Sequence, residues 1–153
     1  MKIKSFRGLL ANGTQDTIVL HTNTGSTGYK IKKFQIMSHA PGDNNDQEHV
    51  VMIWKTKRSN AQLADTTTSR PDFSNNTLLG VGFVVNDIGS ALNYDETIIF
   101  DNEIFNQDIY ITLRDVAGGA QSCNYYIELE QMPLALDENT VATLKDIRNI
   151  TQP

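Results

Sequence analysis

The chain has 153 residues and a formal net charge of −5, with 39% hydrophobic and 20% charged residues. This length suffices for one domain with a proper core, and the mild acidity argues against a nucleic-acid partner, which needs a basic patch. Asn, Gln, Ser and Thr together account for 45 residues. That excess favours short strands joined by polar turns, and the recurrence of Ile, Val, Phe and Tyr in every third of the chain argues against disorder.

Eight segments have the composition and alternation of β-strands, and turn-forming residues separate them. No long helical pattern lies between them, which favours a sandwich or barrel over βαβ units. We therefore predict an all-β domain, an antiparallel β-sandwich, in residues 1–133. The predicted strands are Ile3–Leu10, Thr17–His21, Tyr29–Met37, His49–Thr56, Leu78–Val85, Glu96–Phe100, Asp108–Arg114 and Asn124–Gln131.

Two of these strands have unusual patterns. In Tyr29–Met37 the apolar alternation changes phase at Lys32-Lys33, which predicts a β-bulge. In Val50–Trp54 five consecutive residues are apolar, so both faces of this strand should be covered. The cover is either a loop over a central strand or another subunit. The polar segment 56–78 is a long loop, of a length typical of binding surfaces or of disordered excursions.

The segment 97–131 has the clearest alternation and predicts a β-hairpin. Two alternating runs, Asp108–Arg114 and Asn124–Gln131, flank a connection in which Gly118 and Gly119 can supply the positive φ of a reversing loop. One face of each run is apolar and the other is polar. The hairpin should therefore bury one face and leave the other in water.

Tyr110 and Tyr126 would be neighbours on the wet face of that hairpin. Exposed tyrosine rings can form a stacking platform for a glycan, so these two residues are the candidate glycan contacts. As cross-strand neighbours they can equally do no more than stabilise the sheet, and we favour that interpretation.

Two groups of side chains have metal-ligand chemistry. Three histidines are too scattered for a metal pair on one helix or hairpin, and no Cys or paired carboxylate stands at a suitable spacing beside them. A polar loop after Pro41 offers oxygens for Ca²⁺ but lacks the glycine and the distal Glu of a calcium loop, so Asx-turns are favoured. We predict no cofactor and no metal. The two groups are the histidines His21, His39 and His49 and the loop residues Asp43, Asn45, Asp46 and Glu48.

The sequence has no nucleophile elbow, phosphate-binding loop, zinc-finger spacing or dinucleotide fingerprint. A second acidic group has carboxylates that in principle suit glycoside hydrolysis. A solvated rim around a strand end explains that group better, so we expect a protein that is not an enzyme. The group consists of Asp95, Glu96, Asp101 and Glu103.

Six basic residues fall on two neighbouring predicted strands and are a candidate for a positively charged contact surface. We favour the interpretation that these residues lie on solvated strand faces and protect sheet edges, where lysine is common. The residues are Lys30, Lys32, Lys33, Lys55, Lys57 and Arg58.

Residues 134–153 differ from the rest and are predicted to form a helical tail. Val141, Leu144 and Ile147 recur at helical spacing, and Asp137 can cap the first turn. A helix this short is marginal alone and must dock on something. Its own domain is the favoured dock and a neighbouring subunit is the alternative.

The single Cys123 can form no internal disulfide, which favours a reducing compartment. No apolar run approaches the roughly 20 residues of a membrane span. No signal-peptide core follows the first residues. We expect a protein made in the cytoplasm, with no membrane partner.

Five segments spread over nearly the whole chain carry a family resemblance: Ser5–Gly8, Thr27–Met37, Glu96–Ile111, Asn124–Glu130 and Ala142–Arg148. In these segments the chain resembles small virion proteins encoded by marine and freshwater bacteriophages. The resemblance implies a jelly-roll-like β-sandwich that serves as a capsid component of the virion, with copies of itself and other capsid proteins as partners. It has no catalytic motif, and no binding residue is carried over from it.

The chain is short for the shell-forming major coat protein of tailed phages, so we expect a cement, decoration or minor capsid role. A single-jelly-roll shell subunit stays open, and a carbohydrate-binding or host-attachment module is the alternative function. We expect a homo-oligomer in which at least one apolar surplus is buried only on assembly. The candidate contact residues are Val51, Ile53, Trp54, Val141, Leu144 and Ile147.

Overall fold

The structure is a computed structural model that describes residues 2–42, 46–87, 92–100, 103–117 and 119–135. Within these ranges the chain forms eight β-strands, and every ladder between them is antiparallel. The all-β prediction is confirmed. The strands are β1 (Lys2–Leu10), β2 (Gln15–Ile18), β3 (Thr27–Ser38), β4 (Gln47–Trp54), β5 (Leu78–Asp87), β6 (Leu92–Ile99), β7 (Ile109–Asp115) and β8 (Cys123–Pro133).

The strands form two sheets with the order β1-β8-β3 and β2-β7-β4-β5-β6. In a jelly roll, strands 1, 8 and 3 adjoin in one sheet, and strands 2, 7, 4 and 5 adjoin in the other. This chain has the same neighbours with one departure, and the antiparallel β-sandwich prediction is confirmed. The sixth strand of a jelly roll joins strand 3, whereas here β6 pairs with β5 and widens the second sheet to five strands.

The predicted hairpin of β7 and β8 is wrong, because the two strands belong to different sheets. β7 pairs with β2 and β4, while β8 pairs with β1 and β3. The predicted inward faces are nevertheless correct. Ile109, Ile111 and Leu113 of one strand and Ile127 and Leu129 of the other share a single core between the sheets.

The loop along which the chain passes from one sheet to the other is bound by a carboxylate. Asp115 accepts hydrogen bonds from the backbone N–H groups of Ala117 (3.1 Å) and Gln121 (2.8 Å), on its two oxygens. The positive φ in this loop lies at Ala120 (51°) and not at Gly119, and Gly118 lies outside the described residues. These bonds tie both ends of the loop to Asp115.

Strand β3 contains the predicted bulge. Its pairing with β8 shifts register between Ile31 and Lys33, so Ile31 and Phe34 both point into the core while Lys32 and Lys33 are exposed. An extra residue in one strand restores a common apolar face in this way. The phase change in the sequence therefore predicted the bulge correctly.

The six candidate basic residues do not form one surface. Lys30, Lys32 and Lys33 lie on β3 of the three-stranded sheet, whereas Lys55 and Arg58 follow β4 of the other sheet and are buried. Lys55 binds Glu103 with 2.7 Å between Nζ and Oε1. The sequence did not show that β3 and β4 belong to opposite sheets.

A short helix α1 (Asn60–Ala64) and a turn of 3-10 helix (Thr66–Thr68) occupy the loop between β4 and β5, which the sequence predicts only as polar loop. Ser59 caps α1 in a capping box with Gln62. The predicted C-terminal helix lies outside the described residues. The described part of the chain contains no helix long and apolar enough to cross a membrane.

The close contact between the two sheets can be tested by substituting a glycine that lies in it. A Cβ placed on Gly82 of β5 meets Ile36 Cδ1 of β3 at 2.9 Å and Thr97 Cγ2 of β6 at 3.0 Å, so a side chain here would have to displace both. We expect Gly82→Val to lower the free energy of unfolding by about 1–3 kcal/mol through overpacking. Urea titration measures this change in the free energy of unfolding.

The matched control is Gly42→Val, since an added Cβ at Gly42 meets no atom within 4 Å and its φ is not positive. That variant should unfold at nearly the wild-type urea concentration. Equal stability of the two variants would contradict the close approach of β3 and β5.

Candidate functional site

A groove of about 870 Å³ lies at the end of the three-stranded sheet where β8 begins. Three strands of that sheet and the edge strand β6 of the other sheet line it. Its residues come from four separate parts of the chain, and pairing of the strands brings them together. They are Arg7, Gly8, Leu9, Gln35, Ile36, Met37, Asp95, Glu96, Thr97, Asn124, Tyr125 and Tyr126.

Two cross-strand rows on the solvent face of the small sheet supply most of the polar groups. Arg7 and Gln35 flank Tyr126 in one row, and Leu9 and Met37 flank Asn124 in the next. Opposite residues of adjacent strands point to the same face. A guanidinium, two carboxamides and a phenol ring are therefore presented side by side, between two exposed apolar side chains.

Tyr126 occupies the middle of this surface because β8 is the central strand of its sheet. Its hydroxyl donates to Glu128 Oε2 at 2.6 Å, and this hydrogen bond raises the pKa of Tyr126. The bond ties the hydroxyl to the next outward residue of the same strand. The phenol remains half-exposed and protonated at neutral pH, so it can offer a ring face and accept a hydrogen bond.

Asp95 and Glu96 of β6 bring negative charge to the groove, opposite in sign to Arg7. The predicted acidic group is thus divided. Glu103 is bound to Lys55 elsewhere, and Asp101 lies outside the described residues. The groove can bind a neutral or zwitterionic ligand with many hydroxyl or amide groups through paired donors and acceptors.

Tyr110 lies on the other sheet and is not a neighbour of Tyr126, which corrects the expected tyrosine platform. It is opposite Trp54 on β4, packs against the apolar cluster around that residue, and burial raises its pKa. The expectation depended on the β7–β8 hairpin, and it fails because that hairpin does not form. Of the two candidate glycan contacts, only Tyr126 lines the groove.

The apolar surplus of β4 is used inside the chain. Val51 and Ile53 are fully buried between the sheets, whereas Val50, Met52 and Trp54 form a second cluster on the opposite face of the five-stranded sheet. The loop 55–77 covers that second cluster. The prediction that Val51, Ile53 and Trp54 contact another subunit is therefore wrong, because the folded chain leaves them no surface for a partner.

Polar contacts fix the covering loop in place. Arg58 lies over the Trp54 ring with 4.2 Å between its guanidinium carbon and the ring centroid, and the indole N–H donates to Thr112 Oγ1 at 2.9 Å. Arg114 donates to the carbonyl of Leu63 at 2.7 Å. A cation over an indole and satisfied buried donors stabilise such a cover. The other predicted contacts, Val141, Leu144 and Ile147, lie outside the described residues.

A buried polar group closes the end of the core near the crossover loop. His49 Nε2 lies 3.3 Å from Ser38 Oγ, and His49 pairs across the ladder with Asp115. The three residue types match a nucleophilic triad, but their geometry does not. His49 Nδ1 has no hydrogen-bond partner among the described residues, both oxygens of Asp115 bind backbone N–H groups, and Ser38 is buried. This group holds loops together.

The other residues predicted as possible metal ligands do not come together in one site. His21 binds Asp108 at 2.7 Å, His39 is exposed and His49 is buried. In the ranges that the structure covers, no three His, Cys, Asp or Glu side chains are placed to hold a metal ion. Asp43 and Asn45 of the acidic loop lie outside those ranges. Burial raises the pKa of the Cys123 thiol to about 12, which keeps this cysteine protonated and unreactive.

No protein family profile matches this chain, and the search of characterised proteins finds no match.

Burial of His49 gives stability a pH dependence. Burial lowers its pKa below the usual 6.5, and the charge of Asp115 opposes this only in part. Below pH 6.5 the unfolded chain binds a proton that the folded chain does not, so stability falls as pH falls from 6.5 towards the folded-state pKa. The loss approaches about 1.4 kcal/mol per pH unit.

Urea unfolding at pH 7.5 and 5.5 measures this dependence. We expect His49→Gln to reduce the difference between the two pH values, whatever its effect on stability at pH 7.5. The same substitution at the exposed His39 serves as the matched control and should leave the difference unchanged. An unaltered difference in the His49 variant would assign the pH dependence to other groups.

Proposed function

We propose that this protein is a structural component of a virus particle, of the cement, decoration or minor capsid type, that works through contacts with copies of itself and with other capsid proteins. The strand order β1-β8-β3 and β2-β7-β4-β5 carries the proposal, because it is the jelly-roll order and viral capsid domains commonly use that fold. The resemblance to small phage virion proteins points the same way.

The surface of the small sheet also favours a contact role. Leu9 is 47% exposed, Met37 63% and Ile3 46%, and all three lie on its solvent face. Exposed apolar side chains interspersed with charges are typical of surfaces that bind other proteins with moderate area.

A particle-association experiment tests this proposal. Lysate of infected cells is fractionated on a density gradient, and the chain is quantified by mass spectrometry in each fraction. We expect it to sediment with intact particles and to remain with them after a high-salt wash, because apolar contacts are not screened by salt. Recovery of the chain only in the soluble fraction would count against a virion role.

A second candidate function is binding of a glycan in the groove, as a host-attachment module. The observation that favours it is the row Arg7–Tyr126–Gln35, which combines an aromatic face with bidentate hydrogen-bonding groups. Jelly-roll domains also serve as lectins. The two functions are compatible if the groove faces outward from the particle.

Glycan-array binding followed by titration calorimetry tests the second candidate. Tyr126→Ala should reduce affinity for any glycan found by about tenfold or more, since it removes the stacking face. Lys33→Ala, on the same solvent face but outside the groove, should have no effect. An array without binders, or binding that Tyr126→Ala does not weaken, would dispose of a site in this groove.

A further inference from the structure

The two sheets expose four edge strands, and three of them are protected against pairing with another chain. β1 carries Lys2, Lys4 and Arg7. β3 carries its bulge at Ile31/Lys33 and exposed lysines. β2 has only four residues. Charge, bulges and short length are the usual devices that keep sheet edges from joining.

β6 has fewer of these devices, because its only charged residues are the carboxylates Asp95 and Glu96. Leu92–Ile99 contains no Lys, Arg or Pro, and its ladder with β5 runs from Gly80↔Ile99 to Asp87↔Leu92 without a register shift. Phe100 continues the ladder by donating to the carbonyl of Leu79 at 2.9 Å. In the described part of the chain, β6 has no strand partner on its other side. A long, regular edge without lysine, proline or a bulge is a template for strand addition.

The outward face beside this edge is aromatic at both ends. Tyr94 packs on Phe83 with 5.3 Å between ring centroids, and Phe73 packs edge-on against Phe100 at 4.8 Å. Phe73 is 60% exposed, Tyr94 47% and the intervening Ile98 37%. The loop that covers Trp54 leaves these side chains in contact with water. Exposed aromatic residues of this kind mark interaction sites.

We propose that two copies of this chain associate through β6, which pairs antiparallel with β6 of the second copy about a twofold axis at Thr97. The two five-stranded sheets then become one ten-stranded sheet. The inference rests on the proposed role as a protein that works through subunit contacts, and it names the surface that makes them. A twofold axis perpendicular to the sheet keeps the outward face of both copies on the same side.

The sequence of β6 favours a second copy as the occupant, because it is self-complementary in this register. Tyr94 lies opposite Phe100 of the second copy, which joins the two aromatic pairs into one cluster at each end of the contact. Glu96 lies opposite Ile98 of the second copy, so no carboxylate faces another. A register centred on Glu96 would place two carboxylates directly opposite each other, which is unfavourable.

Two substitutions at Ile98 test the contact and its register. Both remove the same apolar side chain, but Ile98→Glu introduces a charge opposite Glu96 of the second copy that repels it, whereas Ile98→Lys introduces one that attracts it. The contact occurs twice across the axis. The dissociation constant of the dimer should therefore be about tenfold or more higher for Ile98→Glu than for Ile98→Lys.

Sedimentation velocity of the full chain over a concentration series measures this. The wild type should reach twice the 17.1 kDa of one chain, and Ile98→Glu should dissociate at concentrations where Ile98→Lys remains a dimer. Val19→Glu, at an exposed apolar residue that follows β2 on the opposite edge of the same sheet, is the matched control and should dimerise like wild type. Circular dichroism melting confirms that each variant is folded.

Several results would overturn the inference: a wild-type chain that stays monomeric, a dimer that Ile98→Glu leaves intact, or equal weakening by Glu and Lys, which would mean a different register or partner. The virion role is judged separately by sedimentation with particles. A monomeric chain found in particles would refute the β6 contact alone. A β6-paired dimer absent from particles would refute the virion role alone.

Discussion

The constraint on which the rest of this structure depends is that β4 is apolar on both faces. A strand in a two-layer sandwich normally buries one face and wets the other. Here Val51 and Ile53 face the three-stranded sheet while Val50, Met52 and Trp54 face outward, so two separate covers are needed. The small sheet provides the first cover and the loop 55–77 provides the second. The long polar loop is thus part of the folded body and not an appendage to it.

The second cover determines which surfaces remain free. Its anchors, Arg58 over Trp54 and Arg114 bound to Leu63, concentrate the loop over β4 and β7. Among the described residues, the outward side of β5 beyond Val81 and the adjoining part of β6 receive no comparable cover, so the rings of Phe83 and Tyr94 stay accessible to water. The difference between three strands in one sheet and five in the other adds to this effect. β6 extends the larger sheet and lines the groove beside the smaller one.

Asp115 has a similar organising role at the end of the core. Its carboxylate binds the amides that turn the chain from β7 towards β8, and it lies across the ladder from buried His49. A carboxylate that accepts hydrogen bonds from several backbone N–H groups fixes the local backbone. Asp115 therefore holds the loop along which the chain passes from one sheet to the other. It also explains why a Ser, His and Asp in proximity serve structure here.

The sequence alone determined the strands, their inward faces and the bulge at Ile31/Lys33, because side-chain periodicity is a local property that the backbone must obey. It also showed that β4 needs two covers. Only the tertiary structure decided that β7 and β8 separate, that Tyr110 is covered while Tyr126 lines a groove, and that a loop covers Trp54. Those outcomes depend on which strands pair, and pairing is set by contacts between residues far apart in the chain. Alternation identifies the face of a strand that is buried, but not the strand or loop that buries it.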